Sequence, residues 1–369
     1  MATIFKSFLN NDVATTRTLL HEAVPITGTI VSGTYTAEAN IKNYAHGMFQ
    51  SVYDYPYLSS SANHIFDITV GLSNNSSLSA STTFQNSKKI NIYNQMAQTL
   101  VGYKADGTIK DFDKDGDFST ETDKMTETFF VNFARLLSKD EVKKGSFSMT
   151  VLTGGFGPPD REATLVPLSI NDTGSTNDYR VNSPAGEYGF LYTTTGSQVG
   201  LIYYQVGVAV LTASMFATGG AGGINGGTVP GGVMTSGDGG FGPPGSASYD
   251  FASHSASVDS YLTGASISGA ADGVRNCLGT VSFNNTTELN STIYFCRASH
   301  NEFNYSSNPT YLNASKLVVK NKSTDMPVSY ITSVGLYSAD NELLATAKLS
   351  EPLKKTPSNE LTLRVRLDY

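Results

Sequence analysis

The residues best placed to do chemistry are the carboxylates of DFDKDGDFSTETD, residues 111–123. Asp111, Asp113 and Asp115 alternate and are followed by Gly116, which matches the opening of a calcium loop. Alternate side chains can converge on one hard cation, and the glycine permits the sharp turn. Asp117 and Ser119 fall at the next two ligand positions. The twelfth position is Thr122, where a helix–loop–helix calcium site has a bidentate Glu; Glu121 and Asp123 flank it out of register. The segment reads either as a looser Asp-rich loop for Ca2+, with Asp111, Asp113, Asp115 and Asp117 as ligands, or as a solvated acidic turn.

Other constellations fail on context. Gly237, Gly239 and Gly242 spell GxGxxG but run into Pro243-Pro244. A dinucleotide site needs a strand before that pattern and a helix N-terminus after it. The sequence has no Walker A, HExxH or GxSxG motif, and its five histidines are scattered. No carboxylate pair has a spacing that singles it out for acid–base work. No catalytic or cofactor-binding residue is assigned, and the chain reads as a non-enzyme. Cys277 and Cys296 lack metal-ligand spacing. They read as two reduced thiols in or near a sheet, or as a disulfide across a hairpin.

Composition points to the elements that must carry these residues. Charged residues are 15% of the chain, with 35 Gly, 20 Tyr, 19 Phe and no Trp. Abundant Thr, Tyr and Phe favour strands, and Gly and Asn supply turns. The net charge of −7 argues against holding nucleic acid, which needs clustered Lys and Arg. Lys143-Lys144 and Lys354-Lys355 read as solvated loop charge. Met1–Lys6 lacks the basic head and apolar core of a secretory leader, so synthesis in a reducing cytoplasm is expected. Val199–Phe216 is uncharged but diluted by Gly, Gln, Thr and Ser. It reads as a buried strand, or two strands meeting at a kink, and not as a membrane span.

Periodicity predicts strands at His64–Leu72 and Phe147–Val151 and a helix within Lys88–Tyr103, where Ile92, Met96 and Leu100 recur at spacing four. The phenylalanines and leucines of Thr126–Ser138 fit helical spacing too. Val281, Phe283, Ile293 and Phe295 suggest a hairpin across Asn284–Asn290. GGFGPP occurs twice, at 154–159 and 239–244, which would give two equivalent turns docking Phe156 and Phe241, or two similar loops without a shared role. The fold class expected is mainly β with some α: an N-terminal mixed region over 1–153, a β-rich region over 154–303 with a Gly-rich insertion at 218–245, and a C-terminal β-sandwich-like segment over 304–369.

That last segment holds three strand-like runs. Tyr330–Leu336 and Glu342–Leu349 flank the turn Ser338–Asn341. A charged loop between Pro352 and Pro357 leads to the final run, in which Leu361, Leu363, Val365 and Leu367 alternate with polar residues. VSYITSVGLYSADNELLATAKLSEPLKK followed by ELTLRVRLDY resembles the C-terminal segment of virion structural proteins of contractile-tailed bacteriophages, marine and cyanobacterial ones included. The likeness covers about Phe303–Tyr369. It implies a structural subunit of the virion, in the tail or baseplate, assembled in the host cytoplasm and contacting other virion proteins and copies of itself. Leu361, Leu363, Val365, Leu367 and Tyr369 are the expected interface, a terminal strand free to complete a neighbour's sheet. A head or neck protein is the alternative within the same class. A calcium-dependent carbohydrate-binding module, using the aromatic stretch Tyr44–Tyr57, is the competing class.

Overall fold

The computed structural model describes residues 5–26, 39–59, 61–80, 83–118, 122–153, 166–216, 262, 266–306, 312–313, 316–317, 320 and 322–369. The chain is mainly β, with one large sheet and few helices. The principal early elements are β1 (Val13–Ile26), β2 (Ile41–Asn43), β3 (Gln50–Tyr53), β4 (His64–Leu72), helix α1 (Phe84–Leu100), β5 (Glu127–Phe133) and β6 (Ser148–Thr153). Next come β7 (Val166–Asn171), β8 (Gly186–Thr193), β9 (Gln198–Tyr203) and β10 (Val208–Thr212). Helix α2 (Ile267–Cys277), β11 (Leu278–Ala298), β12 (Ser329–Tyr337), β13 (Leu343–Lys355) and β14 (Leu361–Asp368) complete the chain. Two compact units result: unit 1 is Met1–Leu20 with Glu288–Tyr369, and unit 2 is His21–Thr287. Both chain ends therefore share one unit, a grouping that the sequence divisions at 153 and 303 do not contain.

Unit 2 is built on antiparallel neighbours. The first part of β11 is followed across the sheet by β6, β7, β8, β9, β10, β5, β4, β3 and β2. The uncharged run Val199–Phe216 resolves into β9 and β10, which pair as a hairpin. Gly207 has φ of 70° there, the left-handed turn geometry that a side chain disfavours. Thr126–Ser138, expected as a helix, is strand β5 followed by a single helical turn, Arg135–Ser138. Its close-set phenylalanines satisfy either period. Ladder bonds from β4 on one edge and β10 on the other decide for the strand.

Helix α1 forms as expected. Thr83 Oγ accepts from the Asn86 N–H at 3.3 Å and caps it. Its buried stripe is Ile92, Tyr93, Ala97 and Leu100. Both helices pack against β4. Gly71 allows the approach of α1, because a Cβ there would lie 2.9 Å from the Tyr93 Cα. The contiguous apolar core runs from Ile26 to Phe283 and lies wholly in unit 2. Among the described residues no helix is long and apolar enough to cross a membrane.

Unit 1 contains a three-stranded arrangement and a separate ribbon. Ser291–Ala298 of β11 pairs antiparallel with β14, and β1 is the other neighbour of β11. The hairpin expected across Asn284–Asn290 is absent: β11 is one strand of 21 residues. Its polar middle is where its partners change, with Asn285 and Thr286 facing Val142 and Glu141, and Ser291 facing Asp368. The ribbon is β12 with β13. β13 runs on through Pro352, where a loop was expected. Its register jumps from Ser333↔Lys348 to Ile331↔Leu353, so Pro352 sits in a bulge and owes the ladder no hydrogen bond. Lys355 is likewise not solvated. It is buried, and its Nζ donates to Asn304 Oδ1 at 2.8 Å and to the Thr356 and His300 carbonyls at 2.9 and 3.3 Å.

Candidate interaction surface

A concavity lies within unit 1. The segment before β1 carries Phe5 and Phe8. Phe5 meets Tyr337 edge-on with ring centroids 4.8 Å apart, and Phe8 lies 5.4 Å from Tyr294. Asp12 anchors the segment. Its Oδ2 accepts from the Leu9 N–H at 2.9 Å, and its Oδ1 accepts from Arg297 Nε at 2.5 Å. The Leu9 amide first, and then the Arg297 guanidinium, hold its carboxyl below the usual carboxylate range. Lys6 pairs with Glu302.

These contacts frame a cavity of about 670 Å³ whose lining includes Phe295, Cys296, Leu336 and Leu363. Phe5, Phe8, Phe303, Tyr305 and Tyr337 also line it, and each is 38–48% exposed. Cys296 is a free, half-buried thiol. Burial first, and then Asp12, push its pKa up, which favours the protonated thiol. The lining charges Lys6, Asp12 and Arg297 are held in ion pairs. The surface thus combines an apolar floor, an aromatic rim and paired charges. What it can do is bury another apolar surface.

The strand residues expected as an interface lie beside it. Leu361, Leu363, Val365 and Leu367 stand opposite Ala298, Cys296, Tyr294 and Thr292 of β11, and Leu363 lines the cavity. Tyr369 is exposed, but its backbone exchanges hydrogen bonds with Asn290, at 2.8 and 3.2 Å. The terminal strand is therefore paired within its own chain, not free to thread into a neighbour. Phe156 and Phe241 lie outside the described residues. Sequence reading missed Phe5, Phe8, Phe303 and Tyr305, whose only signal was their aromatic type.

The Asp-rich loop is organised differently from a cation cradle. Asp111 accepts from Ser73 Oγ at 2.5 Å and from Asn75 Nδ2 at 2.6 Å. Asp113 accepts from Lys124 Nζ at 2.7 Å and from the Asp115 N–H at 3.0 Å. Asp115 accepts from the Asp117 N–H at 2.9 Å. Burial pushes the Asp113 carboxyl up to about 6. The Lys124 ammonium thus stands where a cation would neutralise Asp113. Among the described residues no three or more His, Cys, Asp or Glu side chains are grouped to hold a metal ion.

The aromatic stretch gathers at β2, β3 and β4. Tyr44 stacks on His46 at 5.0 Å, and Tyr53 lies 5.9 Å from Tyr57 and 5.5 Å from His64. Lys42 Nζ sits 4.7 Å from the Tyr44 ring centroid and 5.6 Å from that of Tyr57, so both ring faces are turned to an ammonium. Ser51 Oγ donates to Asp67 Oδ1 at 2.5 Å, and His64 Nε2 lies 2.8 Å from the same oxygen. The carboxylate stands between hydroxyl and imidazole. The order that activates a serine nucleophile needs the imidazole in the middle.

Scans against family models, curated proteins and solved structures return no match for this chain.

Proposed function

We propose that the chain is a non-enzymatic structural subunit of a tailed-phage virion, in its tail or baseplate, which acts by multi-copy assembly through unit 1. The observation that carries the reading is the mismatch between strand content and closed core in that unit. Among its described hydrophobic residues only Ala298, Leu336 and Val365 are buried, whereas it holds fifteen of the 23 exposed large hydrophobics. A two-stranded ribbon is marginal in water without a hydrophobic face to pack on. Exposed apolar surface gathered in this way marks a place where another chain sits. The likeness of the C-terminal segment to phage virion proteins supplies the setting. Particle proteomics with immunogold microscopy tests the reading. The chain is expected among the structural proteins of purified particles, with label at the distal tail. Its absence from both intact and disrupted particles would overturn the proposal.

A further inference from the structure

The Asp113–Lys124 pair holds an amine nitrogen against a carboxyl group in a buried setting. The two residues stand directly opposite each other on short antiparallel strands, Phe112–Asp113 and Lys124–Met125. Lys124 Nζ lies 2.7 Å from Asp113 Oδ2, an atom bonded to the carboxyl carbon. Nζ also donates to the Asp117 carbonyl at 3.2 Å, a second tether on the amine. Well-oriented groups held together in this way react as if at about 10⁵ M or more.

The surroundings keep the geometry and exclude water. The two side chains are 0% and 9% exposed, and their neighbours Phe112 and Met125 are buried. The loop between them is pinned: Asn182 Nδ2 donates to the Gly116 carbonyl at 3.3 Å, and Gln198 Nε2 donates to the Lys114 carbonyl. Tyr188 and Phe190 close over Gly116, where a Cβ would lie 2.8 Å from the Tyr188 hydroxyl and 3.2 Å from the Phe190 ring. Burial penalises both charges of the pair and so favours passing one proton from ammonium to carboxylate. The neutral amine and acid that result are the forms that condense. Burial also pushes the Asp113 carboxyl up to about 6, so it takes that proton more readily than an ordinary carboxylate. Asp115 completes the set. Its carboxyl shares a hydrogen bond with that of Asp113. That bond first, and then the Asp117 N–H, hold Asp115 below the usual carboxylate range, as an anion able to carry a proton. Asp115 is exposed, which opens a way out for water.

We propose that Lys124 and Asp113 condense slowly in the folded chain to an isopeptide bond, with Asp115 as the proton carrier. Lys124 Nζ attacks the Asp113 carboxyl carbon and forms the C–N bond. Asp115 takes a proton from that nitrogen and passes it to the leaving hydroxyl. The C–O bond breaks, and one water departs. No oxidant is consumed, in contrast to a disulfide. The bond staples the two ends of the loop 114–123. The resting form is the ion pair, which must exchange its proton before attack, so closure is slow. Until it closes, the chain keeps the ion pair and that pair's response to pH.

The test is the intact mass of the purified full-length chain, denatured after increasing times at neutral pH. A species one water lighter than the sequence mass should accumulate. Its tryptic digest should hold a branched peptide joining 111–114 to 115–135, because trypsin does not cut after an acylated lysine. Lys124→Arg keeps a cation for Asp113 but no nucleophilic amine, and should stay at full mass. Asp115→Ala should slow the loss of water roughly 100-fold. Full mass in the natural chain after weeks would overturn the proposal. So would a lighter species that also forms in Lys124→Arg, since Asp106-Gly107 and Asp115-Gly116 can each lose one water as a succinimide. An unchanged rate in Asp115→Ala would overturn the role given to Asp115. The mass and peptide map of the natural chain decide on the bond even if a variant folds poorly.

Discussion

Asp113 and Lys124 form a buried charged pair in unit 2, with side chains 0% and 9% exposed. A buried ion pair is costly to break from one side and cheap to replace as a pair. Lys124→Met is expected to cost about 3 kcal/mol at neutral pH, and adding Asp113→Asn should recover most of it. Denaturant midpoints for the two single variants and the double variant check this. The pH dependence follows from the raised carboxyl, which burial pushes to about 6. The folded state holds that proton more tightly than the unfolded chain. Its contribution to stability is present below about pH 4 and is lost as pH rises through 6. The difference between wild type and Asp113→Asn should therefore change across pH 4–6 and flatten outside it. A second residue-scale prediction concerns Tyr93. Its hydroxyl donates to the Met125 carbonyl at 2.8 Å and accepts from the Phe112 N–H at 3.0 Å. Tyr93→Phe removes both of these buried bonds and should cost about 1–3 kcal/mol by thermal or urea unfolding. The spacing of Asp111 to Asp117 was legible as a possible cation loop. That Lys124 would turn back onto Asp113 was not, because the pair depends on a short ladder, Phe112–Asp113 with Lys124–Met125, that no local pattern announces.

Elements were legible where one face is buried and the other is wet. β4 falls on the predicted residues, and β13 from Ala345 to Leu349 and β14 keep the predicted alternation, whereas in β12 the covered face switches between Ile331 and Val334, at its bulge. The pattern failed where both faces are covered, as in β5, and where one strand serves successive partners, as in β11. A polar stretch then reads as a turn although it is only a change of neighbour. The closeness of α1 to β4 gives a sharp prediction. Gly71→Ala would place a methyl 2.9 Å from both the Tyr93 Cα and the Phe130 ring. It should destabilise unit 2 by about 1–3 kcal/mol, measured by denaturant titration, since overpacking forces the backbone apart. Deleting Leu361–Tyr369 tests β14. The strand pairs with β11 from Ala298 to Ser291, so its loss opens the backbone edge of β11 there. Limited proteolysis should then cut unit 1 quickly while unit 2 stays intact, and incorporation into particles should fail.

At the scale of the whole molecule the two units differ in how far their apolar residues are buried. Unit 2 closes an apolar core from Ile26 to Phe283, whereas unit 1 leaves its aromatic and aliphatic residues half-exposed. A region with few buried apolar contacts opens at low free energy and is where binding adds most order. The sequence showed the strands of unit 1 and their apolar alternation. It could not show that Phe5 and Phe8 meet Tyr337 and Tyr294, because those partners lie some three hundred residues apart along the chain. The central claim is that unit 1 is completed by another subunit. Hydrogen exchange on the dispersed chain and on the same chain within purified particles tests it most directly. Amides of β12, β13 and β14 should exchange fast in the dispersed chain and become protected in particles, while β4, β5 and β10 stay protected in both. Equal exchange of unit 1 in both states, or new protection confined to unit 2, would contradict the account.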